Sequence, residues 1–244
     1  MNYQNVFVIV PCYNEELCIK KTLLDLRQTC PDIKIIAVND GSSDNSLQQL
    51  KSIEDPQLVV LDIPINSGIG TAVQTGLLYA SRNHAEYAVK FDGDGQHLAT
   101  EIVDLLNTLM TTSTDLVIGS RFLINNSGFK SSFMRRIGIR LFKYLSGLLT
   151  GVPISDATSG FRAYNRRGLE FAAEYYPSFD YPEPEECILF LRNNFIVREI
   201  PCKMAERQGG TSSIKSYKAL YFMVKVSLAM IMERFRSLKT KRSI

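Results

Sequence analysis

The chain has 244 residues, 45% of them hydrophobic, enough for one sizeable α/β domain or two small ones with an ample core. A net charge of only +3 excludes a molecule built as a whole to bind nucleic acid, and five cysteines with no C-x-x-C pair argue against a disulfide framework. The start MNYQNVFVIV lacks the basic head and long apolar core of a secretory signal.

Residues 6–10 (VFVIV) form a continuous apolar run, the pattern of a strand buried on both faces. Pro11-Cys12-Tyr13-Asn14-Glu15-Glu16 ends it, and a helix follows with Leu17, Ile19, Leu23, Leu24 and Leu26 as its apolar positions. Residues 33–38 give a second strand, which runs into the polar loop Asn39-Asp40-Gly41-Ser42-Ser43-Asp44, rich in turn formers and helix caps. A third strand covers 58–61, a helix runs from the Gly68-Ile69-Gly70 turn to about Ser81, and a fourth strand covers 87–91. A helix over about 100–110 and a strand over 115–118 complete this half.

Alternating strands and helices predict a mainly parallel sheet covered on both sides. Ligands of such sheets bind beyond the carboxyl ends of the strands. The polar loops after strands one, two and four should therefore meet in one cleft. The fourth loop reads Asp92-Gly93-Asp94-Gly95-Gln96-His97. Two carboxylates one residue apart can hold a divalent cation against a diphosphate, although a plain Gly/Asp turn has the same spelling. Gly68-Ile69-Gly70 is not a dinucleotide fingerprint, because Val73 stands where the third glycine is needed. A phosphoaspartyl hydrolase would share the D-x-D-G spelling with Asp92 as nucleophile. Its aspartate usually lies on the first strand and precedes Thr or Val, whereas here Gln96 follows.

Taken together, Val8-Ile9-Val10-Pro11-Cys12-Tyr13-Asn14-Glu15, Val38-Asn39-Asp40-Gly41-Ser42-Ser43-Asp44 and Asp92-Gly93-Asp94-Gly95-Gln96-His97 resemble the family-2 glycosyltransferases of GT-A fold, over roughly residues 5–210. The resemblance implies inverting transfer of a sugar from a nucleotide-diphosphate donor with Mg²⁺ or Mn²⁺. It puts Pro11, Tyr13, Glu15 and Asp40 in the nucleoside pocket, Asp92 by the ribose and diphosphate, and Asp94 with Gln96 on the metal. Gly119-Ser120-Arg121 and Ser155-Asp156-Ala157-Thr158-Ser159-Gly160-Phe161-Arg162 narrow it toward polyprenyl-phosphate sugar synthases. The chain has no Trp, so the Q-x-x-R-W motif of processive polysaccharide synthases is absent.

In the second half, residues 131–150 read as an amphipathic helix, with Phe133, Ile137, Leu141, Leu145 and Leu148 on one side and Arg136, Arg140 and Lys143 on another. From Phe122 to Ser155 there are five basic residues and no acid, which points to an anionic partner. Arg121 with Arg135 or Arg136 are the candidates for the acceptor's phosphate, since guanidinium grips phosphate with paired bonds. The resemblance makes Asp156 an active-site residue near the acceptor; alone it reads equally as an Asx turn or a cap. Glu183, Glu185 and Glu186 crowd a predicted helix start, where the helix dipole favours carboxylates. A general base could come from this cluster if the acceptor were a hydroxyl; a lipid phosphate is already anionic and needs little deprotonation. A strand over 195–200 precedes the loop Glu206-Arg207-Gln208-Gly209-Gly210-Thr211-Ser212-Ser213, which reads as a lid bringing Arg207 to the diphosphate.

Residues 216–237 predict one long helix with Tyr217, Leu220, Tyr221, Val224, Leu228, Ile231 and Phe235 as a stripe, and Phe222, Met223, Val226 and Met230 making the rest apolar too. Eight basic residues and one acid lie between Lys215 and Ile244. No apolar run reaches the roughly 18–20 residues of a membrane span. An anionic membrane surface, a second copy in a homo-oligomer or a small membrane-protein partner would each suit this helix.

The division expected is a GT-A domain over 1–213, with 1–120 as nucleotide-binding half and 121–213 as acceptor half, then the apolar and basic helix of 214–244. The leading expectation is a glycosyltransferase on the cytosolic membrane face, peripheral, moving a monosaccharide to a polyprenyl phosphate for cell-surface glycan synthesis. A transferase to a saccharide hydroxyl, a phosphoaspartyl hydrolase and a noncatalytic sugar-nucleotide module are the rivals.

Overall fold

The computed structural model describes residue 3 and residues 5–124, 133–205 and 216–237, with the side chains of 133–135 and 216–219 outside that description. The strands are β1 (Val6–Cys12), β2 (Lys34–Asp40), β3 (Leu58–Ile63), β4 (Tyr87–Lys90), β5 (Leu116–Ser120), β6 (Arg162–Asn165) and β7 (Val197–Pro201). They form one sheet in the order β3-β2-β1-β4-β6-β5-β7. Pairing is parallel throughout except at β6, which runs antiparallel to both β4 and β5.

The continuous apolar run of β1 now has its reason. Phe7 and Ile9 belong to one core cluster and Val6, Val8 and Val10 to the other. Successive side chains of a strand alternate between faces, so a central strand covered on both sides needs an apolar residue at every position. One face carries α1 (Ile19–Thr29) and α4 (Ile102–Thr111). The other carries α3 (Ile69–Arg82), α6 (Arg166–Tyr175) and α7 (Glu183–Arg192), with parts of α5 (Phe133–Thr150) and α8 (Ser216–Phe235). A short α2 (Ser46–Lys51) follows the second polar loop.

Several predicted apolar stripes are not the buried faces. On α1, Ile19, Leu23 and Leu26 are buried, but Leu24 is exposed, as is Leu17 before the helix starts. On α5 the buried positions are Gly138, Phe142 and Ser146, while Ile137, Leu141 and Leu148 face solvent. On α8 the predicted remainder, Met223, Val226 and Met230, is buried; the predicted stripe Leu220, Val224, Leu228, Ile231 and Phe235 is exposed. The two helices meet where Met223 packs against Gly138 and the Phe142 and Phe222 rings lie edge to face, centroids 5.9 Å apart. Arg192 Nη1 donates to the carbonyls of Glu233 (2.5 Å) and Arg236 (3.0 Å), satisfying backbone acceptors at the C-terminus of α8. Among the described residues no helix is long and apolar enough to cross a membrane.

Candidate active site

β2, β1 and β4 are adjacent and parallel, so the loops that leave their carboxyl ends emerge side by side. Hydrogen bonds tie the loops together. The Asn14 N–H donates to Ser42 Oγ (3.0 Å), the Ser43 N–H to Asn14 Oδ1 (2.8 Å), and the Glu15 N–H to Ser46 Oγ (2.7 Å). Thr22 Oγ1 donates to the Gly93 carbonyl (3.4 Å), and a Cβ on Gly93 would lie 3.0 Å from the Pro11 carbonyl oxygen. The loops of residues 11–15, 39–44 and 92–96 thus lie together, as expected.

The carboxylate loop closes on itself. Asp94 Oδ1 accepts the Gln96 N–H at 3.0 Å, and Gly95 turns the chain at φ +74, a conformation that costs glycine little. His97 Nδ1 accepts the Asp92 N–H at 3.1 Å, which places the ring proton on Nε2, 3.5 Å from Asp92 Oδ2. The ring stacks on Phe161 at 4.8 Å and meets Phe91 edge-on at 5.4 Å. Burial pushes the His97 pKa down despite the carboxylates of Asp92 and Asp94, so the imidazole is neutral and structural. Burial would raise Asp92, but His97, Lys90, Arg121 and Arg162 outweigh it and hold this carboxyl below its ordinary value. On the far side Ala205 donates its N–H to the Gln96 carbonyl (2.9 Å), and His97 bridges to Met204 in antiparallel fashion.

Asp92 Oδ1 is buried and has no hydrogen-bond partner. An anionic oxygen left so is costly unless a ligand completes it. Among the described residues no three His, Cys, Asp or Glu side chains form a closed metal cage. Mg²⁺ and Mn²⁺ accept one or two carboxylates with substrate phosphates and water filling the other positions, so Asp94 beside Gln96 fits such an ion, and the unpartnered oxygen of Asp92 is left for a donor group of the ligand.

Behind the loop lies a charged layer that the sequence reading did not assign. Lys90 is fully buried on β4 opposite Arg162 of β6, and its ammonium pairs with Glu183. Burial would lower the Lys90 pKa, but Glu183 and Asp92 raise it, so the group stays charged. Arg162 Nη1 reaches Glu186 at 2.6 Å, and the Tyr164 hydroxyl donates to the same carboxylate at 2.9 Å. Two carboxylates from the first turn of α7 thus neutralise two cations under the cleft. A lysine at the end of an apolar strand, two residues before Asp92, was the available signal.

Asp40 is buried, and its two oxygens accept the N–H groups of Ser67 (2.8 Å) and Gly68 (2.9 Å) at the start of α3. Through these two bonds it shapes the loop beside the cleft. Tyr13 is exposed and Pro11 buried. Asp156, expected near the acceptor, is fully buried. Arg121 holds it through Nε (2.7 Å), Nη2 (2.6 Å) and its own backbone N–H (3.0 Å), and the Asp156 N–H is anchored on Glu199 Oε1 (2.7 Å). The paired guanidinium contact expected of Arg121 is made with this carboxylate. Arg136 stands exposed on α5, the side chain of Arg135 lies outside the described residues, and Arg207 does too.

Curated relatives span nearly the whole chain. A UDP-N-acetylglucosamine–dolichyl-phosphate N-acetylglucosaminyltransferase of Methanococcus voltae is 27% identical, covering 93% of this chain and 98% of its own. A polyprenol monophosphomannose synthase of Mycolicibacterium smegmatis is 29% identical, covering 92% and 86%. Glucosyl-3-phosphoglycerate synthase of Mycobacterium tuberculosis, solved with Mn²⁺ and UDP, superposes with a TM-score of 0.67 at 18% identity, over 94% of this chain and 79% of that one, which supports the GT-A fold. The model of the glycosyl transferase family 2 matches residues 7–171, and the chain belongs to that family.

Proposed function

We propose that this glycosyltransferase moves a monosaccharide, with inversion and with Mg²⁺ or Mn²⁺ bound, from a nucleoside-diphosphate sugar to a polyprenyl phosphate. The observation that carries the reading is the unpartnered, buried Asp92 Oδ1 beside Asp94, at the mouth of three parallel strands. When bound, the cation supplies Lewis-acid stabilisation of the leaving diphosphate. Asp94 and Gln96 would hold it, and Asp92 would face the ribose and diphosphate. Pro11, Tyr13 and Glu15 would line the nucleoside pocket, with Asp40 fixing its wall. Arg207, which lies outside the described residues, would reach the diphosphate.

An acceptor phosphate oxygen forms the new bond to the anomeric carbon as the bond to the diphosphate breaks. A phosphate is already ionised, so no general base is needed. Two of the three acids of α7 agree with this choice, and the third, Glu185, is buried against Ser178. Glu183 is held by Lys90, and Glu186 by Arg162 and Tyr164. Such occupied carboxylates are poor bases for a hydroxyl acceptor. Arg135 or Arg136 would meet the acceptor's phosphate, with Arg121, held by Asp156, lending its charge from behind. Relatives named for dolichyl phosphate and polyprenol support this acceptor class. Such acceptors reside in membranes, so the reading includes peripheral attachment at a membrane face.

The test combines purified protein, Mn²⁺ and labelled nucleotide sugars with polyprenyl phosphate. Label on the lipid phosphate, with inverted configuration, is expected. Transfer only to saccharide hydroxyls would sink the acceptor assignment. Asp94→Asn should keep its fold while losing on the order of a hundredfold or more in rate.

A further inference from the structure

Neighbouring helices α5 and α8 expose apolar side chains that a water-facing surface does not need. On α5 these are Ile137, Leu141, Tyr144 and Leu148; on α8 the stripe runs from Leu220 to Phe235, and Met232 and Phe235 are 73% and 78% exposed. The stripe is not a frayed end, because Met223, Val226 and Met230 root the opposite side of α8 in the core. Large contiguous apolar patches of this kind mark a partner surface.

Charge selects the partner. The exposed charged side chains described on these helices include Arg136, Arg140, Lys143 and Arg234, and their one carboxylate, Glu233, is buried. Arg140 and Lys143 also rim an open cavity of about 430 Å³ lined by Tyr144, Gly147, Leu148 and Pro153. Two cations beside an apolar floor match the phosphate headgroups and acyl boundary of a bilayer. A second copy fits poorly. A twofold contact centred on α5 would set its basic edge against its own image.

We propose that the α5–α8 face seats the protein on an anionic lipid bilayer, with the apolar stripes in the interface and Arg140 and Lys143 on lipid phosphates. This extends the proposed transfer to a membrane acceptor, and its biological sense rests on that reading. Physically it needs only the surface residues.

The full chain is floated with vesicles of phosphatidylcholine alone or with about a third of phosphatidylglycerol. Binding is expected to the anionic vesicles and to weaken with salt. Arg140→Gln with Lys143→Gln should weaken it about thirty-fold. Leu148→Glu and Leu228→Glu should each weaken it about tenfold or more, with melting temperature unchanged. Absence of binding to anionic vesicles overturns the proposal, whether the protein then sediments as a dimer sensitive to Leu228→Glu or as a monomer awaiting a protein partner. Equal binding of the charge variant and the parent overturns it as well. Transfer to a short-chain prenyl phosphate in detergent should persist in all these variants. Its loss in the parent protein would count against the acceptor reading and leave the bilayer result standing.

Discussion

Arg121 and Asp156 lie side by side in a buried pair, with Nε and Nη2 of the arginine 2.7 and 2.6 Å from the aspartate oxygens. Neither group has water to fall back on. Asp156→Asn keeps the shape and removes the charge, leaving a buried guanidinium without its nearest counter-charge. A stability loss of about 3–5 kcal/mol is expected in urea unfolding. Replacing both by leucine should recover much of that stability, because no charge is then stranded, but not the activity.

The imidazole of His97 makes a second, sharper case. His97→Phe preserves the ring stack on Phe161 but deprives the Asp92 N–H of its acceptor. The expected cost is about 1–3 kcal/mol. The Mn²⁺ concentration for half-maximal activity should rise, since the loop that presents Asp94 loses its closure. A metal titration of activity beside a melting curve separates the two effects.

Gly160 touches the site from behind. A Cβ there would come within 2.6 Å of Asp92 Oδ2. Gly160→Ala should swing that flexible carboxylate aside with little loss of stability. A displacement on the scale of 1 Å can cost about a hundredfold in rate, and a drop of that order in kcat with a near-normal melting temperature is the expected result.

Glu185 should give the fold a pH slope. Burial raises its pKa to about 7, from an ordinary 4.5, even though it accepts a hydrogen bond from Ser178 Oγ. The folded form then holds a proton that the unfolded chain releases. Its stabilising share is full below pH 4.5 and is lost as pH rises to about 7, amounting to roughly 3 kcal/mol. Glu185→Gln should flatten that part of the curve of stability against pH, measured by urea unfolding between these limits.

The sheet and the cleft were legible because they rest on short-range patterns. A continuous apolar strand followed by a polar loop states both its burial and its ligand end, and Asp92 and Asp94 were placed that way. The helices were harder. In α5 and α8 the longest apolar repeat is the exposed one, and the core is met by Gly138, Phe142 and Ser146 or by Met223, Val226 and Met230. A helix apolar all round does not announce which side its neighbours will cover. Asp156, Lys90 and Arg162 were opaque for another reason. Their partners lie 35, 93 and 24 residues away, and no local spacing signals such pairs.

The order of strands also governs how this protein can be made. β5 leaves the ribosome before residue 121, yet it bonds only to β6 and β7, which are synthesised last among the strands. All five of its residues are buried in the finished sheet. Until residues 162–201 have emerged, the newborn chain carries an apolar strand with no neighbour on either edge, the kind of segment that chaperones shield and aggregates recruit. A cut after residue 120 would therefore part β5 from both strands that complete it.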